Sequence, residues 1–268
     1  MWKFVRRMKI ASWNVNSIKA RLPLFIDWAK ETSPDIILLQ ETKSTNDTFP
    51  VDVMEDLGYN LAIHGQKTFN GVAILSKFPL EDIQYNLPNF QNPQARYIEA
   101  FTGGIRVASV YAPNGSTVGS DKYNYKLSFY HHLQQHLAQL LSFKEKIIVG
   151  GDYNVAPTDA DVYEPEKWIG DVLVSEPERA SFQKILDLGF YDAVRVLYPE
   201  HETNNKDWYT WWDYRSGSWH RNWGLRIDHL LISSAAKDSL KALGIDKDLR
   251  GKERPSDHAP IWCELLKS

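Results

Sequence analysis

Short apolar runs, spread over the whole chain and cut off by a polar residue, constrain this sequence more than any other feature. Ile10-Ala11-Ser12-Trp13 runs into Asn14, and Ile36-Ile37-Leu38-Leu39-Gln40 runs into Glu41. Ile147-Ile148-Val149-Gly150-Gly151 runs into Asp152-Tyr153-Asn154, and Leu225-Arg226-Ile227 into Asp228. Ser256-Asp257-His258 stands just ahead of Ala259-Pro260-Ile261-Trp262. Runs this short and this apolar read as buried strands. Strands are expected around residues 9 to 14, 35 to 40, 71 to 76, 105 to 111, 146 to 151, 226 to 232 and 260 to 265. Between them, Leu22, Phe25, Ile26 and Ala29 share one helical face, and Leu127, Tyr130, Leu133, Leu137 and Leu141 mark a longer helix. Ser181 to Leu188 is a third helix candidate. Such alternation calls for one α/β domain, two layers of sheet covered by helices.

Neither an internal repeat nor a Gly/Ser/Pro linker divides the 268 residues, so a single catalytic domain is expected over 8–268, after a basic tail at 1–7. Met8 is an alternative start. Tyr153 to Pro177, with Pro157 and Pro165 among many acids, reads as a long surface connection. The apolar runs fall far below the roughly 18 residues that span a bilayer, so no membrane is expected. One cysteine, Cys263, excludes an internal disulfide and a Cys-based metal site, and suits a cytoplasmic setting. A formal charge of −3 gives no global basic footprint, so any nucleic-acid surface has to be a local patch.

Strand ends lying side by side would collect the oxygens of Asn14, Glu41, Asp152, Asn154, Asp228 and Asp257 in one cleft. Taken singly, Asp and Asn at such positions start turns or cap helices; their joint occurrence is what signals chemistry. Carboxylate and amide oxygens without a thiolate suit Mg²⁺, which keeps several waters and binds one or two carboxylates together with substrate phosphates. Zinc is disfavoured because only one histidine, His258, belongs to the set.

The ordered series Trp13-Asn14-Val15-Asn16-Ser17, Leu39-Gln40-Glu41-Thr42-Lys43, Gly71-Val72-Ala73-Ile74, Tyr111-Ala112-Pro113-Asn114-Gly115, Gly150-Gly151-Asp152-Tyr153-Asn154-Val155, Leu225-Arg226-Ile227-Asp228 and Ser256-Asp257-His258-Ala259-Pro260 resembles the motifs of the endonuclease/exonuclease/phosphatase superfamily. More narrowly it is similar to the exonuclease III branch of abasic-site endonucleases, from Met8 onward. That resemblance implies a four-layer α/β sandwich of two packed mixed β-sheets flanked by helices. It implies Glu41 as the principal Mg²⁺ ligand, with Asn14 and Asp257 nearby and Mn²⁺ as a substitute. Asp152 would orient or deprotonate the attacking water, beside a second metal position shared with Asn154. Asn154 and Tyr111 would contact the scissile phosphate, and Asp228 would hold His258. The chemistry itself asks for in-line water, a proton acceptor and charge stabilisation on the phosphoryl and leaving oxygens. Asp152 and the Asp228/His258 pair both qualify as base, and one or two cations are compatible with the set. The resemblance also implies a 5′-phosphate and a 3′-hydroxyl as products.

Substrate choice turns on aromatic residues. Trp208, Trp211, Trp212, Trp219 and Trp223 are interleaved with Tyr209, Tyr214, Arg215, His220 and Arg221. Flat apolar walls beside cations suit an unstacked sugar or base. Trp211-Trp212-Asp213-Tyr214-Arg215 is similar to the stretch that supplies the abasic pocket in the exonuclease III branch, and Leu225 to its third wall. Lys122 and Lys126, flanking Tyr123 and Tyr125, are expected to clamp a DNA backbone, with Asn114 on the same substrate. His131, His132 and His136 receive no role. The expected partner is double-stranded DNA carrying abasic sites or 3′ ends, acted on by a monomer. A general phosphodiesterase of the same superfamily and a catalytically silent DNA-end-binding module are the competing readings.

Overall fold

The computed structural model describes residues 7–91, 94–199 and 205–267. Residues 1–6 of the expected tail lie outside the described residues, whereas Arg7 already pairs with Leu266 as the first residue of a strand. In chain order the strands are β1 (Arg7–Asn14), β2 (Ile36–Gln40), β3 (Asn60–His64), β4 (Val72–Ser76), β5 (Leu80–Tyr85), β6 (Tyr97–Thr102), β7 (Ile105–Tyr111), β8 (Ile147–Asp152), β9 (Phe190–Asp192), β10 (Asp228–Ser233), β11 (Leu240–Ile245) and β12 (Ile261–Leu266). They form two six-stranded mixed sheets, ordered β11-β12-β1-β2-β4-β3 and β5-β6-β7-β8-β10-β9. The longer helices are α1 (Ile18–Thr32), α2 (Val51–Asp56), α3 (Asp121–Leu141) and α4 (Glu176–Leu186).

Alternation along the strands sorts side chains into layers. In β1, Met8 and Ile10 face the second sheet, and with Ile36, Leu38, Ile74, Val107, Ile148 and Leu230 they build the central core. Cys263, a free buried thiol, joins that core. Ala11 and Trp13 point the other way, against Phe25 and Trp28 of α1 and Met54 of α2. On the far side, Val149 of β8 packs on Phe129, Leu133 and Leu137 of α3 and on Phe182 of α4. Helices, sheet, sheet, helices: the four-layer sandwich stands as expected.

The two sheets share one pairing scheme. β1 runs parallel to β2 and antiparallel to β12, and β8 runs parallel to β7 and antiparallel to β10. β1 and β8, in the interior of their sheets, also lie close to one another across the core. Gly150 permits part of this packing, since a Cβ there would stand 2.7 Å from Leu38 Cδ1 and 3.3 Å from Ser12 Cβ in the facing sheet. The C-terminal ends of β1 and β8 carry Asn14 and Asp152, and both reach the same edge of the sandwich.

Candidate active site

Where those strands stop, the backbone turns left-handed. Glu41 lies at φ 48°, Asn154 at φ 50°, Asn16 at φ 45° and Lys43 at φ 50°. Non-glycine residues in this region cost roughly 1 to 2 kcal/mol each, a strain typical of functional sites. Neighbouring backbone holds the turns in place. Thr42 N–H donates to the Gly71 carbonyl at 3.1 Å and Lys43 N–H to the Asn70 carbonyl at 2.9 Å. Gly71, at φ 90°, leaves no room for a Cβ, which would stand 2.2 Å from Thr42 Oγ1.

The side chains so presented converge. Asn14 Nδ2 donates to Glu41 Oε1 and to Asp152 Oδ2, both at 2.9 Å. Asn14 Oδ1 is occupied by the Asn16 N–H at 3.0 Å, so Asn14 organises the two carboxylates with its amide hydrogens rather than its oxygen. His258 places Nδ1 2.8 Å from Asp228 Oδ2 and Nε2 3.7 Å from Asp152 Oδ2. One ligand atom each from Glu41, Asp152 and His258 falls within 4.8 Å of the others. Asn154 donates from its backbone N–H to Asp152 Oδ1 at 2.8 Å, and its side chain bonds the Ala112 carbonyl at 2.9 Å. Asn114 Nδ2 donates to Asn154 Oδ1 at 3.2 Å. Tyr111 ends β7 directly opposite Asp152, with the Arg96 guanidinium 4.7 Å over its ring.

Charge follows from this burial. Desolvation lifts the Asp152 carboxyl to about 7, with the Asp228 and Glu41 carboxylates adding to the lift and the His258 cation opposing it. Burial alone would lower His258, but the Asp228 and Asp152 carboxylates outweigh it and raise the imidazole to about 10. At neutral pH His258 is therefore an imidazolium. Burial, followed by the Glu41 and Asp152 charges, keeps the Tyr111 phenol protonated well above its ordinary range. Tyr111 is a hydrogen-bond donor at any working pH.

Asp257 stands one step out, although the sequence places it beside Glu41 on the cation. The ligand atoms lying within 4.8 Å of one another belong to Glu41, Asp152 and His258 but not to Asp257, whose Oδ1 accepts from Asn16 Nδ2 at 2.9 Å and Oδ2 from Trp211 Nε1 at 3.0 Å. Lys126 departs further from expectation. It is fully buried, ion-paired to the equally buried Glu178, and bonds the Asn154 carbonyl at 2.7 Å and the Asn114 carbonyl at 3.1 Å. It anchors the loops of the site and offers nothing to a phosphate. Lys122 is exposed and lines an open cleft of about 520 Å³ with Arg96, Tyr111 and Asn114.

The aromatic stretch also divides. Trp211 is half-buried and shares an apolar cluster with Leu225, Ile227 and Leu173, but Leu225, expected as a pocket wall, is fully buried there and presents no open face to a sugar. Trp212 is fully buried in a separate cluster with Tyr209 and Ala259, its Nε1 bonded to Asn222. It is scaffold, not a wall of the Trp211 cluster. Arg215 is exposed and paired with Asp213 at 3.0 Å. Arg96, Asn16 and Lys43 went unassigned at the sequence level. Asn16 and Lys43 lie inside the motifs quoted above, but Arg96 stands in no apolar run that would flag it.

The endonuclease/exonuclease/phosphatase family model matches residues 11–258. Exodeoxyribonuclease III of Haemophilus influenzae is 37% identical over 96% of this chain and 100% of its own length. Among solved structures, a 3′-5′ exonuclease from Neisseria meningitidis superposes with a TM-score of 0.93 at 41% identity, covering 97% of this chain and all of that one. An AP endonuclease from Archaeoglobus fulgidus gives a TM-score of 0.92 at 37% identity over the same 97%. With its four-layer sandwich and its converging Glu41, Asp152 and His258, the chain belongs to the endonuclease/exonuclease/phosphatase family, in the exonuclease III branch.

Proposed function

We propose that this chain is a Mg²⁺-dependent DNA repair nuclease that cleaves the phosphodiester 5′ to abasic sites in duplex DNA and trims 3′ ends. The observation that carries the reading is the convergence of Glu41, Asp152 and His258 on one point, with Asn14 bridging the two carboxylates. The relatives carry the corresponding activities in their names: an exodeoxyribonuclease, a 3′-5′ exonuclease and an AP endonuclease.

The donor set fits a hard cation. Glu41 and Asp152 offer carboxylate oxygens at one edge, and Asp228 Oδ1 is buried there with no hydrogen-bond partner. Glu41 is the residue to hold the cation, with Asp152 beside it. A bound Mg²⁺ supplies charge stabilisation to the phosphoryl and leaving oxygens. The chain's own groups do the rest. His258, cationic and fixed through Nδ1 by Asp228, faces the scissile phosphate with a donor at Nε2. Tyr111 donates its phenol proton as a hydrogen bond to the same phosphate. Asp152, fixed by Asn14 and the Asn154 N–H, accepts the proton of the attacking water. Lys122 and Arg215, both exposed, meet the DNA backbone, and the half-buried Trp211 is the apolar surface met by the displaced sugar. No helix among the described residues is long and apolar enough to cross a membrane. The buried, unpaired Cys263 suits a reducing cytoplasm, and a single-domain monomer over 8–268 completes the proposal.

One assay tests the reading. A duplex with a single abasic analogue, an intact duplex with recessed 3′ ends and a phospholipid head-group ester are each incubated with Mg²⁺ or EDTA. Cleavage of both DNAs in Mg²⁺ alone is expected. Turnover of the head-group ester with the DNAs left intact would overturn it.

A further inference from the structure

We infer that Trp211 is a positioning residue for the cation seat, linked to Glu41 by a continuous chain of hydrogen bonds through Asp257, Asn16 and Lys43. The links are short, with Asp257 accepting from both its neighbours and Lys43 donating to both of its own. Trp211 Nε1 donates to Asp257 Oδ2 at 3.0 Å, and Asn16 Nδ2 donates to Asp257 Oδ1 at 2.9 Å. Lys43 Nζ donates to Asn16 Oδ1 at 2.5 Å and sits 2.9 Å from Glu41 Oε2. A second branch leaves Asn16 through its backbone, from N–H to Asn14 Oδ1 at 3.0 Å, and returns to Glu41 Oε1 through Asn14 Nδ2 at 2.9 Å.

The chemistry of the partners fixes the direction of every link. Lysine can only donate and an ionised carboxylate can only accept, so the Asn16 amide has one workable orientation. Burial would raise Asp257, yet the His258 cation and the bonds from Asn16 and Trp211 hold it below the usual carboxylate range. Asp257 is therefore an anion held between an indole and an amide, and losing either donor frees it to move. Because Asn16 holds both Lys43 and Asn14, a shift at Asp257 reaches both oxygens of Glu41.

Trp211 is also the side chain proposed above to meet the displaced sugar. Its ring packs edge-on to Trp168 at 6.5 Å, and its backbone pairs with Leu225 in both directions at 3.0 Å. A nucleotide sugar pressed on this ring thus acts on the same side chain that secures Asp257. By linkage, cation binding and sugar contact then alter one another by the same factor. This inference rests on the reading of Glu41 as the cation's ligand.

The test uses the full chain without DNA and follows Mn²⁺ alone, through the loss of the free-ion paramagnetic resonance signal. Trp211→Phe keeps a flat apolar ring and deletes the donor. Asn16→Gly deletes the middle of the chain and tolerates the left-handed backbone. Partners bonded directly to a metal ligand are worth about 10 to 100-fold in metal affinity; this link lies further out, so Trp211→Phe is expected to weaken Mn²⁺ binding about threefold to tenfold. Asn16→Gly weakens it at least as much, and the double variant matches Asn16→Gly alone. Trp212→Phe, which deletes the neighbouring indole donor to Asn222, leaves Mn²⁺ affinity unchanged. Independent, multiplying effects in the double variant would overturn the link, as would wild-type affinity in a folded Trp211→Phe. Were Trp211→Phe to lose its native melting temperature, Asn16→Gly with wild-type Mn²⁺ affinity would overturn it equally. Failure of the wild type to bind Mn²⁺ would instead sink the cation reading of Glu41.

Discussion

His258 Nδ1 lies 2.8 Å from Asp228 Oδ2, and the same ring turns Nε2 toward Asp152 at 3.7 Å. The imidazole is thus held between two buried carboxylates, one bonded to it and one a step further away. This asymmetry sets the charge state of the site and makes it measurable through stability.

Asp152, raised from 3.8 to about 7, keeps in the folded protein a proton that the unfolded chain gives up. Between those values the folded state binds more protons, so its stability falls as pH rises. Urea unfolding in EDTA should show the wild type losing stability relative to Asp152→Asn from about pH 4 to 7. His258 is raised from 6.5 to about 10, so its contribution is complete below 6.5 and is lost as pH climbs through about 10. The advantage of wild type over His258→Gln should therefore shrink between those two values. Parallel pH curves for wild type and both variants would refute this charge assignment.

The buried Lys126–Glu178 pair makes a second prediction. Lys126→Met leaves the Glu178 carboxylate buried without its cation, which costs about 3 to 5 kcal/mol. Lys126→Met/Glu178→Gln removes both charges but leaves one acceptor oxygen where Leu173 N–H and Ser175 N–H bond separate carboxylate oxygens, so it should recover only part of that loss. Urea midpoints at constant slope check it. A double variant no more stable than Lys126→Met would show that the charges are not the issue.

Much of the site was legible because Asn14, Glu41, Asp152, Asp228 and His258 each stand at the boundary of an apolar strand, where a polar residue is conspicuous. Other features depend on distant partners. Lys126, near the start of a helix, reads as solvent-facing until Glu178, 52 residues on, is folded against it. β6 escaped notice because Glu99 interrupts its apolar run; that carboxylate is buried because Arg106, His136 and Tyr97 meet it. β5 exposes nearly every side chain and shows no alternation to read. Trp211 and Trp212 are adjacent and chemically identical, and only folding tells them apart, leaving Trp211 half-buried and Trp212 fully enclosed.

That distinction is testable with neighbours from one motif. Trp212→Ala empties a fully buried site and should cost about 3 to 5 kcal/mol, lowering all activities together. Arg215→Ala, on an exposed side chain, should leave the melting temperature alone and reduce the salt slope of DNA affinity by about 1. An unchanged salt slope would remove Arg215 from the DNA surface.

The most direct test of the account is the single-turnover cleavage rate of Asp152→Asn on a 3′-recessed duplex in saturating Mg²⁺, measured beside its DNA affinity. Asn keeps the shape of the side chain between Asn14 and Asn154 but cannot take a proton from water. The account predicts a rate lower by about 100-fold or more, with DNA affinity within about threefold of wild type. A near-wild-type rate, or a loss confined to DNA affinity, would contradict the assignment of Asp152 to the chemical step.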